Sequence, residues 1–307
     1  MGYVAGIGGA NIDIHGRADG PIILRDSNPG CLHLTMGGVM RNILENLARL
    51  GVQVKPASVV GDDMYGGMLR TGCAQLGMDT EWLRTRPGSR SSSYISIMDD
   101  EGDMLVAMSD MHILKELDGS FVEECLSMLN GAELVVCDGN LSPAAIEYLT
   151  AHCTRPLYLD PVSTTWARAL VPMVGKFDTI KPNLMEMEIL AEMPIRTEAD
   201  LNEACDRLLA RGVRRIFVSR GKDGIFYKGP GGVLCGKAEG FDRLVNATGA
   251  GDATMAGIVY ASLHQQSEAE TLRTALAAGL AAIASPDTIS TRMSADHLEE
   301  LKKEYLQ

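Results

Sequence analysis

Short apolar runs alternate with longer amphipathic segments over most of the chain. The short runs have the length of buried strands and lie at residues 4–7, 12–14, 54–59, 134–137, 157–159, 179–181 and 216–219. The longer segments repeat apolar residues at helical spacing, as at Ile43, Leu47 and Leu50, and lie at residues 41–50, 64–76, 143–150, 198–211, 253–263, 268–284 and 295–305. This alternation predicts an α/β fold in which helices cover both faces of a mainly parallel sheet.

Two segments interrupt the alternation with β-type sequence. Residues 16–35 carry two short β-like runs, at 22–24 and 32–34, and residues 91–106 resemble a hairpin with its turn at 99–102. One interpretation is that both are ordinary surface excursions. The other is that about residues 15–36 and 90–110 form a small β-sheet that projects as a lid over a substrate site.

The composition disfavours several classes of partner and compartment. The 307 residues are 46% hydrophobic, enough for one large core. The net charge is −12 without a run of lysine or arginine, so nucleic acids and anionic membranes are unfavourable partners. Phosphates are still allowed, because local backbone N–H groups bind them. We see no signal peptide or membrane-length apolar stretch, and the seven scattered cysteines predict neither a disulfide framework nor a zinc site, so we expect a cytoplasmic protein.

The segment from Asn246 to Asp252 carries the strongest chemical signal. It reads NATGAGD, follows a β-type run that ends at Val245, and opens the helical segment at 253–263. A glycine-rich turn before a helix presents backbone N–H groups that bind anions. An aspartate there makes chemical sense if Asp252 accepts a proton from a hydroxyl while the N–H groups hold a transferring phosphoryl group. The simpler interpretation is that Asp252 only caps the helix.

Two other glycine-rich segments resemble nucleotide motifs but lack a required residue. Residues 6–11 read GIGGAN, where a dinucleotide fingerprint needs glycine at Asn11 and a helix, not a second β-like run, afterwards. Residues 231–238 nearly match a P-loop, but Ala238 replaces the magnesium-binding hydroxyl and no helix is predicted to follow. We predict a loop at 231–238.

Four further clusters lie at the ends of predicted strands and helices. They are Asn11 with Asp13, residues 37–42 (GGVMRN), residues 181–186 (KPNLME) and residues 219–224 (SRGKDG). Their order together with NATGAGD, over essentially the whole chain, resembles the ribokinase-like (PfkB-type) sugar and nucleoside kinases. The resemblance implies a single domain over residues 1–307, with a three-layer α/β/α fold, a mainly parallel sheet and a small β-sheet lid.

The resemblance also implies roles for individual residues. Asp252 would be the catalytic base, and the N–H groups of Gly249, Ala250 and Gly251 would form the anion hole. The implied substrate-binding residues are Asn11, Asp13, Gly38, Asn42, Ser93, Asp110 and Asn140. The implied residues for ATP are Asn183, Glu186, Ser219, Gly221, Gly224 and Thr248, and Glu186 would also act on Mg²⁺ through water.

Further segments narrow the substrate that the resemblance implies. Residues 25–30, 91–94, 109–111 and 160–163 are similar to those of family members that act on pseudouridine, so the implied reaction is ATP-dependent phosphorylation of its 5′-hydroxyl. Two other functions stay open. One is a kinase of the same family for another nucleoside or a free sugar, and the other is a non-catalytic ligand sensor with the same fold.

Two last expectations concern additional ligands and partners. A monovalent cation is a possible further cofactor, although Asn246 replaces the aspartate that the family commonly has there. An exposed β lid would leave unpaired edges and an apolar face, which favours a homodimer that pairs through its lids.

Overall fold

The structure of the protein is a computed structural model that describes residues 2–306. Its strands are β1 Val4–Ile7, β2 Asn11–Ala18, β3 Gly30–Gly37, β4 Val54–Gly61, β5 Leu83–Arg86, β6 Ser93–Met98, β7 Met104–Asp110, β8 Leu134–Asp138, β9 Leu157–Asp160, β10 Thr179–Ile180, β11 Arg215–Ser219, β12 Ile225–Gly229 and β13 Gly232–Gly236. Its α-helices are α1 Val39–Arg49, α2 Met64–Gln75, α3 Gly119–Gly131, α4 Pro143–His152, α5 Thr164–Leu170, α6 Leu184–Ala191, α7 Glu198–Ala210, α8 Ala250–Leu263, α9 Glu268–Ile283 and α10 Ala295–Tyr305. Short 3₁₀ turns lie at Thr80–Trp82, His112–Glu116, Val174–Lys176 and Gly221–Asp223.

A nine-stranded sheet runs through the middle of the described chain, in the order β13-β12-β11-β10-β9-β8-β1-β4-β5. Neighbours from β11 to β5 are parallel, and β12 and β13 add an antiparallel edge. Side chains of β8 alternate between two cores: Leu134 and Val136 pack with α1, α8, α9 and α10, whereas Val135 and Cys137 pack with α3 to α7. The predicted three-layer α/β/α fold is confirmed.

Local signals in the sequence fix the starts of two predicted helices. The Thr197 hydroxyl accepts a hydrogen bond from the Asp200 N–H, and the Asp200 carboxylate accepts one from the Thr197 N–H, which forms a capping box at α7. At α4, the Ser142 hydroxyl accepts from the Ala145 N–H, with Pro143 in the first turn. Each cap stabilises its helix by about 0.5–2 kcal/mol.

Both β-type inserts join in one small sheet of order β3-β2-β6-β7. Strands β2 and β6 are parallel, whereas β2–β3 and β6–β7 are antiparallel. The prediction that the two segments build one sheet is confirmed, although β2 already begins at Asn11.

The small sheet has two chemically different faces, because side chains in register across a sheet point the same way. The polar face carries Asp13, His15, His33, Thr35, Tyr94, Ser96 and Ser109. The apolar face carries Ile14, Leu32, Leu34, Ile95, Ile97, Val106 and Met108. On the apolar face, Leu32 is 71% exposed and Met108 is 72% exposed, so this face is uncovered at the outer end of the sheet.

Three local predictions are wrong, each for an identifiable reason. Residues 22–24 form no strand, because the Asn28 side chain bonds both the N–H and the carbonyl of Ile23 and closes a turn. The run ending at Val245 is also not a strand: the N–H of Val245 donates to the Ile283 carbonyl at 2.8 Å, at the end of α9. Residues 231–238 contain β13 instead of a loop, because Gly232–Gly236 pair with β12.

In the described residues no cysteine is in a disulfide; Cys125, Cys137 and Cys205 are buried, and Cys153 is partly buried. No helix within residues 2–306 is long and apolar enough to cross a membrane.

Candidate active site

The predicted site gathers around the carboxyl-terminal edge of the central sheet, where ligands of open α/β sheets bind. Asp138 ends β8, Asp160 ends β9, and Lys181 follows β10 directly. Helix α8 brings Asp252 to the same place, since the charges of all three residues act on its carboxyl group.

Asp252 lies in the first turn of α8 and is only 9% exposed. Its Oδ2 accepts a hydrogen bond of 2.8 Å from Nδ2 of Asn42 in α1. The side chain therefore does not cap its own helix, for which no side-chain hydrogen bond is present in the described chain. The geometry favours the chemical interpretation of Asp252 over the capping one.

The start of α8 offers backbone N–H groups to an anion. Gly249 has φ +79°, and a Cβ there would lie 2.1 Å from the Thr288 carbonyl oxygen, so only glycine fits. Within residues 2–306, no protein group accepts a hydrogen bond from the N–H of Gly249, Gly251 or Asp252. The Ala250 N–H, in contrast, points back to the Ala247 carbonyl at 3.4 Å.

A buried lysine lies against this helix start. The Lys181 ammonium lies close to Gly251: a Cβ added to that glycine would be 3.3 Å from it. Lys181 also forms a 3.1 Å ion pair with Asp160, and both side chains are at least nine-tenths buried. Burial alone would lower the pKa of Lys181, but the charges of Asp160, Glu186 and Asp252 outweigh this and raise it. Lys181 therefore keeps its positive charge beside the free N–H groups.

The pKa of Asp252 is raised to about 7, mainly by burial and next by the charge of Asp160. The Asn42 hydrogen bond and the charge of Lys181 lower it, whereas Asp138 raises it. A carboxylate that titrates near neutral pH is well matched to accept a proton from a hydroxyl group.

Asp138 is a site residue that the sequence analysis missed. It is fully buried, and its carboxylate accepts hydrogen bonds from the N–H groups of Gly9 (3.0 Å), Met40 (2.9 Å) and Asn140 (3.0 Å). Burial raises the pKa of Asp138 in spite of these three bonds. Asp138 thereby ties the end of β1, the start of α1 and the loop after β8 together. An acidic residue directly after a buried strand is the signal that was available in the sequence.

The predicted sugar-side residues surround this junction. The Asn11 Nδ2 donates to Asp13 Oδ1 at 2.5 Å, and burial raises the pKa of Asp13. Gly38 has φ +99° and would collide with the Gly9 carbonyl if it carried a Cβ. The Asn140 amide lies close to Gly9: a Cβ added to Gly9 would be 2.7 Å from the Asn140 side-chain nitrogen.

Ser93 and Asp110 are not brought to this group by the small sheet. They pair with each other, and Ser93 is in register with the buried Ile12, so they lie on the opposite face from Asp13. The Asp110 carboxylate contacts His112 at 2.7 Å. Their role in substrate binding stays a prediction.

Asn183 and Glu186 begin α6 as a capping box. The Asn183 Oδ1 accepts from the Glu186 N–H at 2.9 Å, and Glu186 Oε2 accepts from the Asn183 N–H at 2.9 Å. Asn183 also bridges to Ser219 at the end of β11. Burial raises the pKa of Glu186.

The remaining predicted nucleotide residues lie in turns beside β11 and before α8. Gly224 has φ +77° and would place a Cβ 2.0 Å from the Gly236 carbonyl oxygen, and Gly221 has φ +58°. Thr248 is exposed, and its N–H donates to the Asn246 side chain at 2.9 Å.

The donor chemistry around Glu186 fits Mg²⁺. One carboxylate oxygen is used in the capping box, and the other accepts no hydrogen bond from the described residues. Mg²⁺ is commonly held by one or two carboxylates, with phosphate and water as the other ligands. In residues 2–306 no group of three or more acidic, histidine or cysteine side chains forms a protein cage for a metal.

Comparison with known proteins identifies the family of the chain. The model of the pfkB family carbohydrate kinases matches residues 1–295. A pseudouridine kinase of Escherichia coli is 34% identical over 88% of this chain and 87% of its own length. A second E. coli protein, described as the uncharacterised sugar kinase YeiI, is 33% identical over 96% of this chain and 82% of its own. The structure of an Arabidopsis thaliana ribokinase complexed with ribose and ATP shares the fold with a TM-score of 0.87 at 18% identity, covering 99% of each chain.

A buried carboxylate beside free N–H groups at a helix start is an arrangement suited to phosphoryl transfer to an alcohol. The family model covers nearly the whole chain, including every residue of the candidate site. This protein belongs to the pfkB family of carbohydrate kinases and is a phosphotransferase.

Proposed function

We propose that this chain transfers the γ-phosphoryl group of ATP to the 5′-hydroxyl of pseudouridine. The observation that carries the proposal is Asp252, a buried carboxylate with a pKa of about 7 beside the N–H groups of Gly249 and Gly251. The similarity to a pseudouridine kinase over most of the chain supports the choice of substrate.

In this reaction Asp252 accepts the proton of the attacking hydroxyl group. The 5′-oxygen attacks the γ-phosphorus, its O–H bond breaks with the proton moving to the carboxylate, and the bond to the β-phosphate oxygen of ADP breaks in line. The N–H groups at the start of α8 and the Lys181 ammonium stabilise the charge on the moving phosphoryl group. In enzymes, one such donor contributes about 10²–10³ to the rate.

The sugar hydroxyls bind to Asn11, Asp13, Gly38, Asn42 and Asn140 in this proposal. Amide and carboxylate groups can donate to and accept from vicinal hydroxyls at the same time, which gives directional recognition. Closure of the small sheet over the ribose would exclude water and limit hydrolysis of ATP.

The polar face of the small sheet favours a nucleoside over a free sugar. His15 lies two residues beyond Asp13 along β2, about 7 Å further from the body of the protein. Its Nδ1 contacts the Ser96 hydroxyl at 2.7 Å, and the buried Thr35 hydroxyl has no partner in the described chain. A uracil ring attached to the ribose would reach the partly exposed His15 imidazole, whereas a free pentose bound at Asp13 would be too short to do so.

In this proposal ATP and Mg²⁺ bind on the side of Asp252 that lies away from the sugar-binding residues. Asn183, Ser219, Gly221, Gly224 and Thr248 contact the nucleotide in this proposal. Mg²⁺ would be held through water by the free carboxylate oxygen of Glu186, and when bound it neutralises charge on the phosphates.

The structure bears on the expected monovalent cation through Asn246. Its Nδ2 donates to the Pro286 carbonyl at 3.2 Å, and its Oδ1 accepts from the Thr248 N–H. A carboxylate could not donate to Pro286, so Asn246 joins these two loops without a bridging ion. We therefore propose that activity does not require a monovalent cation.

The apolar face of the small sheet supports a homodimer as the working form. It exposes Leu32, Leu34, Ile95, Val106 and Met108, a patch whose burial against a second copy would be favourable. Strands β3 and β7 are also open edges, as is typical of sheets that pair between subunits.

A substrate panel with ATP and Mg²⁺ tests the proposal. We expect kcat/KM to be highest for pseudouridine among pseudouridine, uridine, adenosine, inosine and ribose, and the product to carry phosphate on the 5′-oxygen by ³¹P NMR. Asp252→Asn, purified in parallel, controls for contaminating kinases. A preference for another nucleoside or for ribose would overturn the substrate, and binding without ADP formation would overturn the enzyme in favour of a sensor.

A further inference from the structure

Arg41 is a wholly buried arginine next to the proposed catalytic apparatus. It lies in the first turn of α1 and is 1% exposed. Its Nε donates to the Gly37 carbonyl at 3.0 Å, and its Nη2 donates to the Met36 carbonyl at 2.9 Å. The same Nη2 donates to Asn42 Oδ1 at 2.5 Å. Arg41 thus connects the end of β3, in the small sheet, to the residue that contacts Asp252.

The contacts of Asn42 allow only one orientation of its amide when Asp252 is ionised. A guanidinium group only donates hydrogen bonds, so the amide oxygen of Asn42 must face Arg41. A carboxylate only accepts them, so the amide nitrogen must face Asp252, where it donates at 2.8 Å. Arg41 therefore determines which end of the amide Asp252 meets.

The remaining contacts of Arg41 hold it rigidly. Its Nη1 forms a 2.6 Å ion pair with Glu45, whose other carboxylate oxygen pairs with Arg49 at 2.7 Å. Burying such a network is costly and rarely favours stability over apolar packing. A role beyond stability would explain an arginine at this position.

We propose that Arg41 is a positioning residue for phosphoryl transfer, which holds the Asn42 amide so that its NH₂ group faces Asp252. The inference rests on the proposed role of Asp252 as the base. Arg41 does not touch Asp252 and acts only through Asn42.

The consequence is a bias of Asp252 towards its ionised, proton-accepting form. The groups that face Asp252 are Asn42 from α1, Asp138 and Asp160 from β8 and β9, and Lys181 after β10. Without Arg41 the Asn42 amide is free to rotate and present its oxygen, which favours the protonated carboxyl group. The pKa of Asp252 then rises, and the acidic limb of the rate profile moves to higher pH.

A double-mutant cycle tests this coupling. We expect Arg41→Met to lower kcat by about 10²-fold, as a misplaced reacting group does, and to shift the acidic limb upward. We expect Asn42→Ala to do the same and the double variant to match Asn42→Ala, because Arg41 acts through Asn42. Arg49→Met is the matched control: it removes a charge from the same network without touching Asn42, and should leave the acidic limb in place.

Two further measurements keep the test decisive. If Arg41→Met does not fold, Arg41→Lys takes its place in the test. It preserves the charge but not the planar fork of the guanidinium group, so the acidic limb of its rate profile should also move to higher pH. A ¹³C NMR titration of the Asp252 carboxyl group needs no substrate, and separates failure of this inference from failure of the proposed function. An unchanged Asp252 pKa in the Arg41 variants, or additive effects in the cycle, would overturn the proposal.

Discussion

Asp252 meets two opposing demands at the residue scale. The proposed role as catalytic base needs its carboxylate ionised near neutral pH, whereas its burial beside Asp160 disfavours the charge. Asn42 and Lys181 offset part of this cost, and the remaining part reduces the stability of the fold. Active sites commonly carry such a conflict between function and stability.

Replacing Asp252 should therefore stabilise the protein in a pH-dependent way. The pKa of Asp252 is raised in the folded state, to about 7 from its ordinary value of 3.8, so the folded state holds its proton more tightly. Between these values the stability of the wild type falls as pH rises, and above about 7 the loss is complete. We expect the Tm advantage of Asp252→Asn to grow from pH 5 to pH 7 and then level off. A pH-independent difference in thermal unfolding would contradict the burial account.

Individual site residues could be predicted from the sequence where they belonged to a recognisable motif. The residues of NATGAGD and GGVMRN were selected from the sequence, and the structure brings Asp252 and Asn42 into contact. Asp138 was missed because its function is to accept three backbone N–H groups from distant segments, and only the folded chain brings these together. Ser93 and Asp110 were grouped with Asp13, although strand register places them on the other face.

At the scale of elements, the start of α8 depends on glycine at a single position. Gly249 adopts a left-handed conformation and approaches the Thr288 carbonyl, which frees the following N–H groups for a ligand. A side chain there would displace the loop that carries Thr288 and move the helix start away from Lys181.

We expect Gly249→Ala to destabilise the protein by about 1–3 kcal/mol through backbone strain, and to lower turnover as well. The matched control is Gly67→Ala in α2, where an added Cβ meets nothing within 4 Å. That change should be stabilising by about 0.5–1 kcal/mol. Urea unfolding measures both, and equal effects of the two substitutions would show that the conformation of Gly249 is not required.

Helices with both apolar periodicity and end signals were predicted well, and so were the buried strands of the central sheet, whereas the exposed apolar run at residues 22–24 was not. The helical segment at 198–211 has apolar periodicity and a threonine directly before it, and it was found to within one residue. The run at residues 22–24 had only hydrophobicity in its favour, and the side chain of Asn28 formed a turn instead. Ile23 and Leu24 are 63% and 82% exposed, so burial did not favour a strand.

At the scale of the whole molecule, the small sheet carries polar side chains on one face and apolar ones on the other. In our proposal, the face of Asp13 binds the substrate and the face of Leu32 and Met108 pairs with a second copy of the chain. The sequence indicated two β-type inserts but not the division between the two faces. That division depends on the register between strands that are far apart in the chain, and the alternation of polar and apolar residues within each strand does not reveal this register.

The association can be tested directly. We expect the wild type to be a dimer at micromolar concentration by size-exclusion chromatography with light scattering. The double substitution Leu32→Glu with Met108→Glu should give a monomer, because it places charges in the apolar patch. Met64→Glu, at an exposed apolar residue of α2, is the control and should not change the mass. A monomeric wild type would exclude this interface.

The central claim is that Asp252 takes the proton of the nucleoside 5′-hydroxyl during phosphoryl transfer. Its most direct test is the single-turnover rate of pseudouridine 5′-phosphate formation from γ-³²P-ATP, compared between wild type and folded Asp252→Asn at pH 7.5. We predict a rate lower by about 10²–10⁴-fold in the variant, with nucleotide binding retained. A variant that forms the product at the wild-type rate would contradict the account.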